Sequence, residues 1–330
     1  RAGSRVVNSA PGGGTKDTWV LDDCTVLSRT ADHVYWLGRY AERAENFART
    51  LDAQYRLSLL PQEAQSDGIG WQRMLTTLGF SDEYSMRHQA VEPHRVIDFL
   101  AFDRGNPSSI LNCLRMAREN ARAVRGTISS EMWETFNSTW LEARSNAPSR
   151  FSARNVAEFV EWVKYRAHLA RGVVLGSMLR DEGYHFMQIG TFLERADGVV
   201  RLLLTRLACE PSGTDGRPVA HDYYPWSVLL RALSAFEIFR RVSRDSVTPM
   251  HVLAFTIFRP DVPRSVYRST SLVYENLQAV RNSQSAETER RAGLLHASLR
   301  FGTLESVSPG GVVQYLNGIL ATTADLSERI

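Results

Sequence analysis

The sequence predicts an all-α protein, a multi-helix bundle made of two tandem homologous helical repeats in a pseudo-two-fold relation. Three observations carry this expectation. Apolar residues recur at three- and four-residue spacing along most of the 330 residues, while period-two alternation of β-branched residues is scarce. His33-x4-Gly38-x-Tyr40-x-Glu42-Arg43-Ala44-Glu45-x3-Arg49 matches His185-x4-Gly190-x-Phe192-x-Glu194-Arg195-Ala196-Asp197-x3-Arg201, every position displaced by 185 − 33 = 152. Downstream, Trp71, Leu75 and Leu78 match Trp226, Leu230 and Leu233 at a displacement of 155. Pro93, Phe99, Phe102, Pro107, Ser109, Glu119 and Asn120 match Pro249, Phe255, Phe258, Pro263, Ser265, Glu275 and Asn276 at 156.

Taken along the chain, helices are expected near 28–60, 69–80, 93–103, 107–127, 130–145 and 153–179, then near 181–210, 224–243, 248–258, 263–283, 286–304 and 309–328. The first of each set carries the shared signature. Gly68 and Gly70, and Pro211 to Gly216, mark the loop that follows it. Pro93, Pro107, Pro249, Pro263 and Pro309 fall where helices begin, because a residue without N–H and with fixed φ is tolerated only in the first turn. The resulting division is a linker over 1–24, one repeat over 25–176 and a second over 177–330. The two repeats are expected to pack as one domain, since the 153–179 helix runs almost directly into the next.

Composition bounds the function. A hydrophobic fraction of 43% with 23% charged residues is ordinary for a globular chain, and charges interrupt every apolar run before the roughly 18 residues that a membrane span needs. No membrane span is expected, and the absence of a signal-like start points to a cytoplasmic protein. The formal net charge of +3 is too small and too dispersed to suggest a nucleic-acid partner. Cys24, Cys113 and Cys209 form neither a disulfide framework nor a zinc motif.

At about 100° per residue, Trp36, Leu37, Tyr40, Ala44, Phe47, Ala48 and Leu51 lie within about 60° of His33, whereas Tyr35, Gly38, Glu42, Glu45 and Arg49 lie opposite. Met187, Gly190, Glu194, Asp197 and Arg201 repeat that flank. The bland reading is a solvated face with i,i+4 pairs Glu45–Arg49 and Asp197–Arg201, worth a few tenths of a kcal/mol. A mid-helix Gly, costing about 1 kcal/mol relative to Ala, argues instead that something approaches that flank closely. It is either another helix with buried ion pairs or a ligand.

Other constellations are weaker. Asp181, Glu182 and His185 have metal-ligand spacing, but their counterparts are Arg29, Thr30 and His33, so no metal site is expected. His33 and His185 read as satisfied core histidines. Arg118, Arg122 and Arg125 form one stripe beside Asn120, followed by Trp133 and Asn137, and suit either an anion or neighbouring acids. No nucleophile elbow, phosphate loop or His-Glu-x-x-His is present.

The run Leu27-Ser28-Arg29-x-Ala31-Asp32-x-x-Tyr35-Trp36-Leu37-Gly38-Arg39-Tyr40-x-Glu42-Arg43-Ala44-Glu45, with Ala117-Arg118-Glu119-Asn120-Ala121-Arg122, Glu131-Met132-Trp133-Glu134 and Gly190-x3-Glu194-Arg195-Ala196-Asp197, resembles the bacterial Alpha-E family of helical domains with a Glu-Arg motif. Thr191 departs from the Gly-Arg of that pattern. Gly12 to Leu21 is similar to the C-terminal end of circularly permuted ATP-grasp proteins, so residues 1–24 read as the remnant of such a ligase, fused ahead of the helical part.

The resemblance implies a partner role beside an ATP-grasp carboxylate–amine ligase, which would itself hold ATP and Mg; no cofactor is assigned to the helical part. A transglutaminase-like protease is a further possible companion. On that reading Glu42 and Glu194 are the catalytic candidates. Arg43, Glu45, Arg49, Arg118, Asn120, Arg122, Arg125, Arg195, Asp197 and Arg201 would hold an amino-acid or peptide-like substrate, arginines on its carboxylate and acids on its amine. A non-catalytic docking scaffold and a metal-dependent helical enzyme are the alternatives.

Overall fold

The computed structural model describes residues 28–59, 68–146, 153–208, 223–243, 246–307 and 311–330. The expected ligase remnant at 1–24, the loop at 211–216, Cys24 and Cys209 lie outside them. Among the described residues every regular element is helical. The first half comprises α1 (Ser28–Ser58), α2 (Ile69–Leu78), α3 (Ser81–Ser85), α4 (Pro93–Ala101), α5 (Ile110–Ala123), α6 (Ser130–Asn146) and α7 (Ala153–Ser177). The second comprises α8 (Glu182–Ala208), α9 (Tyr223–Ala232), α10 (Phe236–Val242), α11 (Pro249–Phe258), α12 (Val266–Ala279), α13 (Ala286–Phe301), a 3₁₀ turn at Leu304–Ser306 and α14 (Val312–Arg329).

Local chemistry sets several boundaries. Pro93 and Pro249 occupy first-turn positions, where the missing N–H has no intrahelical partner to lose. Ser109 and Ser265 cap α5 and α12 by accepting the N–H of Asn112 at 3.3 Å and of Arg268 at 2.9 Å, so these helices begin after Pro107 and Pro263 and not at them.

The sequence misses the short helix α3 and a break in the second half. The segment expected as a single helix over 224–243 is α9 and α10, parted at Ser234, whose φ is +53°. Gly79, 155 residues earlier, makes the equivalent break between α2 and α3 with φ +83°. A side chain in this left-handed region costs about 1–2 kcal/mol, and no sequence signal announces a serine there. Arg49 of α1 supports the turn, donating from Nη1 to the Ala232 carbonyl at 2.6 Å and to Ser234 Oγ at 3.0 Å.

The long helices α1 and α8 pack against each other at the centre. Helices α5, α7 and α9 cover α1, and α12, α14 and α2 cover α8. Apolar cores lie on both sides of this pair, with Leu51, Trp71, Phe99, Ile110 and Val160 in one and Leu203, Trp226, Phe255, Leu277 and Leu316 in the other. A third joins Leu37, Ala121, Met132, Phe136 and Met187. Helix α1 is therefore buried on two opposite sides: Tyr35, Gly38, Glu42, Glu45 and Arg49 are all buried, which overturns the solvated-face reading. Among the described residues no helix is long and apolar enough to cross a membrane.

Candidate functional site

The two glycines of the signature are where α1 and α8 meet. A Cβ on Gly38 would collide with the carbonyl oxygen of Met187, and one on Gly190 with the carbonyl oxygen of Tyr35. Further along, Gly198 faces the side chain of Asn46, whose Nδ2 donates to the Glu194 carbonyl at 2.9 Å. Contacts thus advance in the same direction on both helices, so the pair runs parallel. The close partner expected from the glycine notch is the opposite helix.

With backbones this near, the Glu-Arg pairs cross. Arg195 of α8 grips Glu42 of α1 with Nε at 2.9 Å and Nη2 at 2.8 Å, and Arg43 of α1 grips Glu194 of α8 with Nε at 2.6 Å and Nη2 at 3.0 Å. Arg39 adds a second grip on Glu194 at 2.7 Å. The residue 152 positions after Arg39 is Thr191, which only returns its hydroxyl to the Met187 carbonyl at 2.9 Å. Glu42 draws its further cations from elsewhere, Arg264 at 3.0 Å and Arg171 at 3.2 Å.

Glu45 is completely buried and accepts from Arg49 at 2.7 Å, from Arg264 at 2.5 Å and from Arg171. Burial pushes all three carboxyls upward, and the arginines outweigh it. Arg195 and Arg264 hold Glu42 down at about 2, Arg264 and Arg171 hold Glu45 well below its ordinary value, and Arg43 and Arg39 lower Glu194.

The expected i,i+4 pairs are present, with Arg201 Nε on Asp197 at 2.7 Å as the half-exposed counterpart of Glu45–Arg49. Each arginine also donates to the last turn of a short helix from the other half. Arg201 Nη1 reaches the Thr77 carbonyl at 2.9 Å, as Arg49 reaches that of Ala232. Both place a cation on the negative end of a helix.

Beside the Glu194 pairs lies a cavity of about 340 Å³, lined among others by Arg39, Arg43, Asn46, Glu194, Asp197, Arg201, Ser108, Ser327 and Glu328. Its volume falls at the small end of ligand sites, about 300–1,000 Å³. Two small residues, Ser108 and Ser327, are part of its lining, whereas the residues 156 positions from them, Arg264 and Arg171, line the other flank of the seam.

Arg118, Asn120, Arg122 and Arg125 are not among the residues lining this cavity. Arg118 donates to Asn137 at 3.1 Å and lies with Arg125 over the Trp133 ring, at 5.4 and 5.2 Å from its centroid. Arg122 pairs with Glu119 at the surface. Asn120 bonds His33 across 2.8 Å, as Asn276 bonds His185 across 2.7 Å, so both histidines are partnered inside the bundle. Among the described residues no group of three or more His, Cys, Asp or Glu side chains is placed to hold a metal ion.

Arg39, Arg171 and Arg264 were missed by sequence reasoning. The last two differ between the matched halves, and that difference was the one signal available.

Three uncharacterized proteins, one from Mycobacterium bovis and two from strains of Mycobacterium tuberculosis, are each 25% identical to the chain over 335 residues. The match covers 94% of this chain but only 37% of each relative, so the chain spans little more than a third of their length. No solved structure matches. The family matched over residues 26–330 is Alpha-E, described as a predicted alpha-helical domain with a conserved ER motif, and the reciprocal grip of Glu42-Arg43 on Glu194-Arg195 gives that motif its physical content. The chain belongs to the Alpha-E family.

Proposed function

We propose that this chain is the ligand-holding helical partner of an ATP-grasp carboxylate–amine ligase, and that it retains a small amino-acid or peptide-like zwitterion in the cavity beside Glu194. The observation that carries this reading is the cavity's paired polarity. Arg39, Arg43 and Arg201 offer guanidiniums on the same wall as the carboxylates Glu194, Asp197 and Glu328, so both ends of a zwitterion find a counter-charge. Asp197 and Arg201 are only half-buried and are free to re-pair with an incoming ligand at small cost.

In this reading Glu42 and Glu194 act as anchors of the helix seam and not as proton carriers, because the arginines that grip them lower both carboxyls below their ordinary value and keep them charged at neutral pH. Bond formation, with its ATP and Mg, then belongs to the ligase. That companion rests on the resemblance of Gly12 to Leu21 to ATP-grasp C-termini, and a transglutaminase-like protease in the same system rests on the resemblance to the Alpha-E family. The two halves are proposed to descend from one duplicated unit with pseudo-two-fold placement. Support comes from the matched turns at Gly79 and Ser234, the matched caps at Ser109 and Ser265, and the matched His–Asn pairs.

Calorimetric titration with free amino acids and di- and tripeptides tests the reading. Binding is expected in the natural chain, with loss in Ser327→Arg, which puts a long side chain in place of a small one in the lining, and in Asp197→Asn. The melting temperature is expected to hold in both. If no amino acid or peptide binds, or if Ser327→Arg binds as the natural chain does, the non-catalytic docking scaffold takes its place. The complete commitment of Glu42, Glu45 and Glu194 to arginines is what favours that second reading.

A further inference from the structure

On the opposite flank of the seam the charges do not balance. Arg49, Arg171, Arg195 and Arg264 surround Glu42 and Glu45, and among the described residues these two carboxylates are the acids they share. Four guanidiniums against two carboxylates leave an excess of two positive charges in a largely buried cluster. Such an excess is costly unless an anion joins it. The cluster does not close over itself. It borders a second cavity of about 260 Å³, lined by all four arginines, by His168, by the turn Leu233–Ser234–Ala235 and by Val262 and Pro263. Helix α7 forms the mouth, with His168 exposed and Arg171 partly so, and Arg264 lies fully buried at the base.

The titratable groups register the imbalance. Burial, beyond what Glu42 and Glu45 return, pulls the Arg264 guanidinium down to about 10, and Arg195 and Arg49 add to the fall. His168, whose Nδ1 lies 2.8 Å from Arg171 Nη2, is lowered by burial first and then by Arg171, with Arg49 and Arg264 contributing against Glu45. Three guanidiniums, Arg49, Arg171 and Arg264, thus act on this imidazole against one carboxylate, Glu45.

We propose that this cavity is a phosphate-group site, taking a doubly charged phosphate or the phosphoryl end of a small phosphomonoester between Arg49, Arg171, Arg195 and Arg264 with His168 at its rim. Planar guanidiniums present paired N–H donors that match phosphate oxygens, and a dianion neutralises the excess without disturbing the Glu42 and Glu45 pairs. The site is separate from the zwitterion cavity, on the other side of α1 and α8, and stands or falls independently of it.

The test uses the full chain with inorganic phosphate and with glycerol phosphate, against chloride at matched ionic strength. His168 is followed by proton NMR, its signal assigned with His168→Gln. With phosphate bound its pKa is expected to rise by about one pH unit, because an anion within a few ångströms favours the imidazolium. Both phosphate compounds are expected to raise the melting temperature. Arg171→Gln, altered at the partly exposed mouth, is expected to weaken that response about tenfold through loss of a charge-assisted bond. Ser327→Arg leaves it unchanged. Response to inorganic phosphate alone assigns the site to the free ion; response to glycerol phosphate as well assigns it to phosphomonoesters. An unmoved His168, or a phosphate response equal in natural chain and Arg171→Gln, overturns the proposal.

Discussion

Replacing Gly190 or Gly38 with alanine sets two opposing effects against each other, and the structure decides the sign. In a free helix the change stabilises by about 1 kcal/mol, because alanine restricts the unfolded chain and shields the backbone. Here the new methyl meets a backbone carbonyl of the facing helix, Tyr35 for Gly190 and Met187 for Gly38, which no rotamer change can clear. Overpacking of that kind costs about 1–3 kcal/mol, and the upper end applies because two long helices must separate together. A net loss of about 1–2 kcal/mol is expected.

Gly172 of α7 and Gly318 of α14 are the controls, since a Cβ at either meets nothing within 4 Å. Alanine there is expected to stabilise by about 0.5–1 kcal/mol. Urea unfolding followed by circular dichroism separates the two classes by about 1.5–3 kcal/mol, and calorimetry by several degrees at about 2 °C per kcal/mol for a chain of this size. If Gly190→Ala proves as stable as Gly172→Ala, the α1–α8 contact is not the tight seam described.

Acid is expected to unfold the protein through the same seam. The folded-state pKa values of Glu42, Glu45 and Glu194 are depressed, so their stabilisation is fully present above the ordinary carboxylate range and is lost as pH falls from about 4.5 toward 2. Glu42 alone accounts for about 3 kcal/mol of that loss, and a melting temperature that stays flat from pH 7 to pH 3 contradicts the pairing. Cys113 is fully buried and its thiol is pushed up to about 12, first by desolvation, so in a Cys24→Ser, Cys209→Ser background it is expected to resist maleimide until the chain unfolds. Native-state labelling at the rate of a free thiol counts against that packing.

What was legible in the sequence is what lies along one helix. The spacing of Trp71, Leu75 and Leu78, the prolines that open α4 and α11 and the i,i+4 pair Glu45–Arg49 are properties of neighbouring residues, and each is present. The glycine notch went one step further, requiring a close partner without saying which. The partner's identity was not legible, because a helical wheel assigns residues to a flank and is silent about which helix lies across it. Glu42 and Arg195 are 153 positions apart, and Arg264 is 222 from Glu42. The stripe Arg118 to Arg125 lies elsewhere: Arg118 and Arg125 rest on Trp133, Arg118 also bonds Asn137, Arg122 is exposed, and none of them borders the cavity beside Glu194.

A seam of charges between the two central helices needs a reason, because buried ion pairs often contribute no more stability than apolar residues of the same size. The reason we infer is register. Two parallel helices joined through leucines tolerate sliding, since one apolar side chain replaces another. A slide of one turn, about 5.4 Å, carries Glu42 from Arg195 toward Thr191 or Gly198, and Glu194 away from Arg43. Each buried carboxylate or guanidinium stranded in that way costs about 3–5 kcal/mol. The glycines set how near the helices come, and the crossed Glu-Arg pairs set how far along each other they sit. Both cavities are lined from that one seam, so the placement of Arg43 and Glu194 beside one, and of Arg49 and Arg195 beside the other, is settled by the same two constraints.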